Sequence, residues 1–203
     1  MIEPFQIILL THEREVSRQS NTGSIALHCY PEYCQRVIWS RVNPEPKLVD
    51  WLNRGQAALL FPDEIAFETP FEQTEMREEK DNKTNDINTL DVPNVLVILD
   101  ATWQEARKMC RRSDYLKQAQ KYALPQQIIA SQLSQFTLRR NQIEGGFCTI
   151  ECIQFLFRLK GMQTQADKLA QAFKDFNQNG DKITRHVTYR TVKENNTCSV
   201  ARK

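Results

Sequence analysis

The segment around Asp100, Thr102 and Trp103 is the part of the chain best suited to chemistry. It follows an apolar run from Val95 to Leu99 that is short and rich in β-branched residues, which predicts a parallel strand covered on both faces. Open α/β sheets bind ligands at the carboxyl ends of their strands, so a carboxylate here predicts a site. The alternative is that Asp100 or Thr102 caps the next helix while Trp103 packs in the core.

Three further clusters place polar groups at predicted strand ends or helix starts, where converging loops would build one pocket. The first runs from His12 to Arg18 with Asn21 and Thr22, after a strand predicted from Phe5 to Leu10. His12 could be a general base, because its unperturbed pKa suits neutral pH, or equally a hydrogen-bonded structural residue. The other two clusters are Leu60-Phe61-Pro62, and Arg139-Arg140 with residues 145–151.

The elements that would position these groups alternate between strands and helices, a pattern typical of α/β proteins. Further strands are predicted at 37–39, 56–61, 127–130 and 136–138, and helices at 21–27, 46–54 closed by Gly55, 104–120, 149–160 and 163–177. The acidic stretch from Thr69 to Pro93 has few large apolar residues, which predicts a flexible insertion. We therefore expect one domain over residues 1–180 and a basic tail over 181–203.

Composition predicts an ordinary globular protein, with 203 residues of which 40% are hydrophobic and 26% are charged. No apolar run is long enough to cross a bilayer, and the first residues lack the pattern of a signal peptide, so a cytoplasmic protein without a membrane partner is expected. Six scattered cysteines then favour free thiols, and their spacing does not match a zinc site. No metal is expected.

The net charge of +2 conceals an uneven distribution. Residues 63–91 carry a charge of −7, so the other 174 residues carry +9, a balance that suits a polyanionic partner. Basic residues with interleaved aromatics lie at 103–121 and at 182–203. Each cluster could be a solvated face, but two of them together favour nucleic acid.

Five blocks in this order resemble the DTW-domain family, which contains the tRNA-uridine aminocarboxypropyltransferases. The resemblance runs from about Phe5 to Phe176 and is far more specific than the Asp-x-Thr-Trp tetrapeptide alone. The blocks are Thr11-His12-Glu13-Arg14-Glu15 with Asn21-Thr22-Gly23; Leu60-Phe61-Pro62; Asp100-Ala101-Thr102-Trp103 with Ala106 and Lys108; Leu138-Arg139-Arg140; and Cys148-Thr149-Ile150-Glu151.

The resemblance implies a SPOUT-like fold, in which helices flank a parallel sheet and a knot in the C-terminal half cradles S-adenosylmethionine. The implied reaction moves the 3-amino-3-carboxypropyl group of S-adenosylmethionine to N3 of a uridine in tRNA and leaves methylthioadenosine. The position in tRNA and the oligomeric state remain open. A SPOUT-like RNA methyltransferase and a non-catalytic tRNA-binding protein are the alternatives.

Residue roles follow from matching this chemistry to the blocks. Asp100 is the first choice as the base at uridine N3, although it could instead bind the donor's amino group or orient the base. Trp103 could stack on the uracil or adenine, or pack beneath the helix. The catalytic set is Asp100, Thr102, Trp103 and His12; the donor-binding set is Leu60, Phe61, Pro62, Asp100, Arg139, Gly146, Phe147, Thr149 and Glu151; and the RNA-binding set is Arg14, Arg18, Arg107, Lys108, Arg111, Arg112 and Arg140.

Departures from the family pattern bear mainly on the last two blocks. Cys148 and Cys152 replace small residues, and Asn141-Gln142-Ile143 lacks a proline often found there. Thr149 and Glu151 could also be no more than a helix N-cap with an acidic first-turn residue. Many relatives carry a four-cysteine zinc element ahead of the domain, whereas this chain begins directly with its first strand.

Overall fold

The computed structural model describes residues 4–61, 92–125 and 146–179. The described strands form one five-stranded sheet in the order β2-β1-β4-β3-β5, and every pairing in it is parallel. The strands are β1 (Gln6–Thr11), β2 (Cys34–Ile38), β3 (Ala58–Leu60), β4 (Val95–Asp100) and β5 (Lys121–Tyr122). The helices are α1 (Glu13–Val16), α2 (Gly23–Cys29), α3 (Pro46–Asn53), α4 (Trp103–Arg112), α5 (Asp114–Gln118), α6 (Thr149–Leu159) and α7 (Gln163–Asn179).

Helices cover both faces of the sheet. Side chains alternate along each central strand, so each strand contributes to the apolar cluster on both faces. Ile7 and Leu9 of β1 face the apolar cluster formed with α2, α6 and α7, whereas Ile8 and Leu10 face the cluster formed with α3, α4 and α5. Burial on both faces explains why β1 and β4 are continuous apolar runs. The predicted α/β class with a parallel sheet flanked by helices is confirmed.

The predicted single helix over residues 104–120 is wrong, because the chain bends at Ser113. This residue has an extended backbone (φ −124°, ψ 107°), so α4 ends at Arg112 and α5 begins at Asp114. The Ser113 hydroxyl accepts a hydrogen bond from Trp39 Nε1 at 2.9 Å, which ties the bend to the segment after β2. The other predicted helices are present with small changes in their ends, and Gly55, with φ +67°, follows the end of α3 as predicted.

Strand predictions were accurate for β1 and β4 and less so elsewhere. The second strand begins at Cys34, three residues before its predicted start, and β3 spans only Ala58–Leu60. The two-residue β5 was not predicted. The strands predicted at 127–130 and 136–138, most of the acidic insertion and the whole basic tail lie outside the described residues.

The strand order creates a crevice between β1 and β4. From β1 the chain continues to β2 on one side, whereas from β4 it continues to β5 on the other side. Loops that leave two adjacent parallel strands in opposite directions open a space at their carboxyl ends, where α/β proteins bind ligands. Within the described ranges, no helix is both long and apolar enough to cross a membrane.

Candidate active site

Asp100 lies at the crevice between β1 and β4. It ends β4 directly beside Thr11, which ends β1, and its side chain is buried with 2% exposure. Oδ2 accepts hydrogen bonds from Thr11 Oγ1 at 3.0 Å and from Asn21 Nδ2 at 2.8 Å, and Oδ1 accepts one from Thr149 Oγ1 at 3.0 Å. Three separate blocks of the sequence therefore meet at one carboxylate, as the strand-end pattern predicted.

The contacts of Asp100 make it an acceptor for a cationic or N–H group. No lysine or arginine of the described residues forms an ion pair with it. Its negative charge is instead stabilised by three neutral donors and by the N-terminal ends of α2 and α6. A carboxylate offers about four acceptor positions, of which these hydrogen bonds use three, so one position on Oδ1 has no donor among the described residues.

Gly23 allows α2 to approach this carboxylate. A Cβ atom at Gly23 would lie 2.8 Å from Asp100 Oδ1 and 3.0 Å from Oδ2, closer than side-chain atoms pack. A side chain at the first position of α2 would therefore require α2 or the Asp100 carboxylate to shift. Neither Gly23 nor Thr11 was among the predicted site residues, although both belong to the first of the five recognised blocks.

Asn21 has its amide orientation fixed by three hydrogen bonds. Its Oδ1 accepts from Ser24 N at 2.8 Å and from Arg36 Nη2 at 3.4 Å, which leaves Nδ2 pointing at Asp100. Arg36 was not predicted because the second strand was expected to begin at Val37, which left Arg36 outside it, whereas the strand begins at Cys34. With the correct strand start, a charged residue within a half-buried strand is the signal that could have indicated Arg36.

The start of α6 contributes both to the site and to its own stability. Thr149 is the first helical residue, and its hydroxyl binds Asp100 rather than capping the helix. Glu151 accepts a hydrogen bond from Cys148 N at 2.8 Å, so it has the capping role that was one of the two interpretations. Burial raises the pKa of Cys148 and raises that of Cys152 to about 12, so neither thiol is a nucleophile at neutral pH.

The second half of the Asp-x-Thr-Trp block begins α4. Thr102 and Glu105 form a reciprocal capping box, in which Thr102 Oγ1 accepts from Glu105 N at 3.3 Å and Glu105 Oε2 accepts from Thr102 N at 3.1 Å. Burial would raise the pKa of Glu105, but hydrogen bonds from Thr102 and the nearby His12 and Arg18 hold it below its usual value. Trp103 is half-buried and joins neither apolar cluster of the described residues.

His12 is placed to donate a hydrogen bond through Nε2. Its Nδ1 accepts from Arg14 N at 3.3 Å, and its ring stacks on Trp39 with centroids 5.5 Å apart. In the neutral ring the proton is therefore on Nε2. His12 N also donates to Asp100 O at 3.2 Å, which places this residue beside the end of β4.

The RNA-binding candidates form two groups. Arg18 forms ion pairs with the buried Glu15 and, at 3.9 Å, with Glu105, so its charge is already paired within the protein. The other candidates on described residues are exposed and have no carboxylate partner among them: Arg14 on α1, and Arg107, Lys108, Arg111 and Arg112 on α4.

The remaining candidates lie near the same edge of the sheet or outside the described residues. Leu60 ends β3 beside β4, and the buried Phe61 follows it. Gly146 and Phe147 lie just before Cys148, the N-cap of α6, and the Phe147 ring packs edge-on against that of Phe155 with centroids 4.9 Å apart. Pro62, Arg139 and Arg140 lie outside the described residues. Among His, Cys, Asp and Glu of the described ranges, no group of three or more could hold a metal ion.

Comparison with known proteins gives one family match. Residues 1–180 match the DTW domain, and this range contains all of the residues that meet at Asp100. No solved structure matches the chain. The match spans most of the 203 residues and confirms the resemblance seen in the sequence motifs. The chain belongs to the DTW-domain family, which is associated with tRNA-uridine aminocarboxypropyltransferase and with the modification of tRNA.

Proposed function

We propose that this protein transfers the 3-amino-3-carboxypropyl group of S-adenosylmethionine to N3 of a uridine in tRNA and releases methylthioadenosine. The observation that carries the proposal is Asp100, a buried carboxylate without a cationic partner among the described residues, held by three donors from two other family blocks. The family membership supplies the class of substrate. In this proposal the fold is SPOUT-like with a C-terminal knot, and the protein acts in the cytoplasm.

The polar groups around Asp100 fit the amino acid end of S-adenosylmethionine. The free acceptor position on Oδ1 suits the donor's ammonium, and a buried anion stabilises a cationic ligand strongly where water is excluded. The N-terminal end of α6 and the cation Arg139 are candidates for its carboxylate. Leu60, Phe61 and Pro62, and residues 146–151, would line the remainder of the donor site.

Donor orientation decides the product. Bound S-adenosylmethionine supplies a sulfonium with three adjacent carbons open to attack. A protein that holds the amino acid end firmly presents the γ-carbon, not the methyl group, to a nucleophile. In this account Asp100 is a binding group first, because its single free acceptor position would be filled by the ammonium and would not serve uridine N3–H at the same time.

The uridine requires a neighbouring donor more than a strong base. Uridine N3–H is weakly acidic, so its proton passes to solvent water, N3 attacks the γ-carbon, the bond between that carbon and sulfur breaks, and methylthioadenosine leaves. The negative charge that deprotonation places on the uracil oxygens is stabilised by a hydrogen-bond donor at such an oxygen. His12 suits this role because its Nδ1 is occupied and its Nε2 carries the proton. Trp103, half-buried beside Thr102 at the start of α4, is the candidate for stacking on the uracil.

The tRNA-binding surface proposed here is the exposed basic side of α4 with Arg14. Because α4 begins at the Asp-x-Thr-Trp block, phosphates bound along it would lie close to the site. Arg140 is added by the family pattern. Arginine and lysine contacts with phosphates position a nucleic acid without reading its sequence, so they would serve many tRNAs.

The alternatives are a SPOUT-like RNA methyltransferase and a tRNA-binding protein without catalysis. The test uses two samples of S-adenosylmethionine, one radiolabelled in the carboxyl group and one in the methyl group, each incubated with unmodified tRNA. The proposal predicts that only the carboxyl label enters tRNA. Entry of the methyl label alone would support the methyltransferase, and binding of tRNA with neither label would support the non-catalytic protein.

A further inference from the structure

Arg36 lies within β2 on the same side of the sheet as Leu9, its partner in β1, and it is half-buried. No described carboxylate forms an ion pair with it, and its Nε is buried without a hydrogen-bond partner among the described residues. A buried donor left without a partner costs free energy. Placing the Arg36 guanidinium here is therefore unfavourable for stability, which indicates that the residue has another role.

The contact that Arg36 does make leads to the candidate active site. Its Nη2 donates to Asn21 Oδ1 at 3.4 Å, and Asn21 Nδ2 donates to Asp100 Oδ2 at 2.8 Å. A positive charge beside the amide oxygen polarises the amide and makes its N–H groups stronger donors. The same contact opposes rotation of the amide, which would bring its oxygen towards the Asp100 carboxylate.

We propose that Arg36 is a positioning residue of the candidate active site, acting through the Asn21 amide to hold the Asp100 carboxylate in place for the donor's ammonium. The inference rests on the proposed function for the identity of that ligand. The arrangement of Arg36, Asn21 and Asp100 itself is independent of which reaction follows.

Two other roles for Arg36 make different predictions. β2 is an edge strand of the described sheet, and inward-facing charges on edge strands discourage pairing with other chains. An edge-protecting arginine would affect aggregation and leave the site unchanged. An arginine that contacts the substrate directly would act independently of Asn21.

The test is a double-mutant cycle on the affinity for S-adenosylmethionine, measured by calorimetry, with Arg36→Met and Asn21→Ala alone and together. Arg36→Met is expected to weaken binding about tenfold in the wild-type background and less than about twofold in the Asn21→Ala background. Equal losses in both backgrounds, or no loss in either, would overturn the proposal. Arg41→Met, in the exposed turn after β2, is the matched control and should bind normally.

A second readout does not depend on ligand binding or activity. Nitrogen-15 NMR of the protein alone should show a shifted side-chain amide resonance for Asn21 in Arg36→Met, largely restored in Arg36→Lys, which keeps the charge. An unchanged Asn21 resonance in Arg36→Met would refute the proposal. If the wild-type protein binds S-adenosylmethionine but transfers nothing, the proposed function fails, while both readouts still decide the role of Arg36.

Discussion

At the scale of single residues, the close approach of Gly23 to Asp100 gives the sharpest prediction. In Gly23→Ala the new Cβ would meet Asp100 Oδ1 at 2.8 Å, so α2 or the carboxylate must move. We expect a loss of about 1–3 kcal/mol in the free energy of unfolding and a large loss of donor affinity. Urea unfolding and calorimetry with S-adenosylmethionine measure the two effects.

Gly161→Ala separates these effects. Gly161 follows the end of α6 and has φ +72°, but a Cβ there would meet nothing within 4 Å. Its substitution should cost about 1 kcal/mol through backbone strain and leave donor affinity unchanged. Equal losses of donor affinity in the two variants would show that stability alone explains the Gly23 effect.

Asp100 itself should be indispensable for transfer but not for tRNA binding. Asp100→Ala leaves the buried Asn21 amide and the half-buried Thr149 hydroxyl without their acceptor, whereas Thr11 Oγ1 keeps Leu9 O at 3.2 Å. A buried donor without a partner costs about 1–3 kcal/mol, so Asp100→Asn is the gentler companion variant. We expect both variants to lose transfer activity while their tRNA affinity stays within about twofold of wild type.

The matched control for Asp100 is Asp50→Ala. It removes an exposed carboxylate that pairs with Arg54 at 2.7 Å, far from the site in sequence. Full activity is expected in this control, because exposed ion pairs contribute little. Undiminished transfer by Asp100→Ala, measured on folded protein, would contradict the role given to Asp100.

At the scale of helices and strands, the sequence was most informative where burial is uniform. The strands predicted at Val95–Leu99 and Phe5–Leu10 are present as Val95–Asp100 and Gln6–Thr11, and both are buried along most of their length. The break at Ser113 was missed because the residues around it keep a helical pattern, while a tertiary hydrogen bond from Trp39 accompanies the bend. Arg36 was missed because its role depends on Asn21, 15 residues earlier, which pattern reading along one strand cannot reveal.

The buried elements also make two thiols unreactive. Burial raises the pKa of Cys34 to about 12 and that of Cys110 to about 11, from an ordinary 9.0. The thiolate is the reactive form, so site-resolved alkylation at pH 8 should spare both residues and label the exposed Cys29 faster. Rapid labelling of Cys34 in folded protein would contradict its placement in the core.

The same shifts predict a direction for alkaline stability. These thiols hold their protons more tightly in the folded state, so their contribution to stability is complete below the unfolded pKa near 9.0 and is lost as pH rises towards 11–12. The urea concentration at the midpoint of unfolding should therefore be lower at pH 10.5 than at pH 9. In Cys34→Ala/Cys110→Ala this fall should be smaller, whereas an identical fall in both proteins would assign it to other groups.

The basic side of α4 should control tRNA affinity. Arg107→Ala/Lys108→Ala is expected to weaken binding and to reduce the slope of log affinity against log salt by about one for each phosphate that the variant no longer binds. The control is Lys168→Ala/Lys174→Ala on α7, which removes two exposed charges from a helix on the opposite face of the sheet. Equal losses of affinity in the two double variants would point to a general charge effect, not to a defined surface.

At the scale of the whole molecule, opposite charges are separated along the chain. Residues 63–91 carry −7 and the remainder carries +9. Because like charges repel, the acidic residues of this segment should weaken the binding of tRNA. Replacing its Asp and Glu residues by Asn and Gln should leave transfer unchanged and raise tRNA affinity modestly at low salt, as measured by filter binding. A marked loss of transfer would instead give this segment a role in the site.

The sequence motifs predicted the family and the convergence of three of its blocks at Asp100, because strand ends in a parallel sheet share one edge. They did not predict the strand order that opens the crevice between β1 and β4. That order depends on contacts between distant parts of the chain, such as the pairing of Thr11 with Asp100. The roles of Thr11 and Gly23 follow from this pairing and from the packing of α2 against it.

The most direct test of the central claim is mass spectrometry of the products after incubation of the protein with S-adenosylmethionine and unmodified tRNA. The account predicts methylthioadenosine as the small product and 3-(3-amino-3-carboxypropyl)uridine among the nucleosides of the digested tRNA. S-adenosylhomocysteine together with a methylated nucleoside would contradict it, as would the absence of any turnover by a protein that binds both substrates.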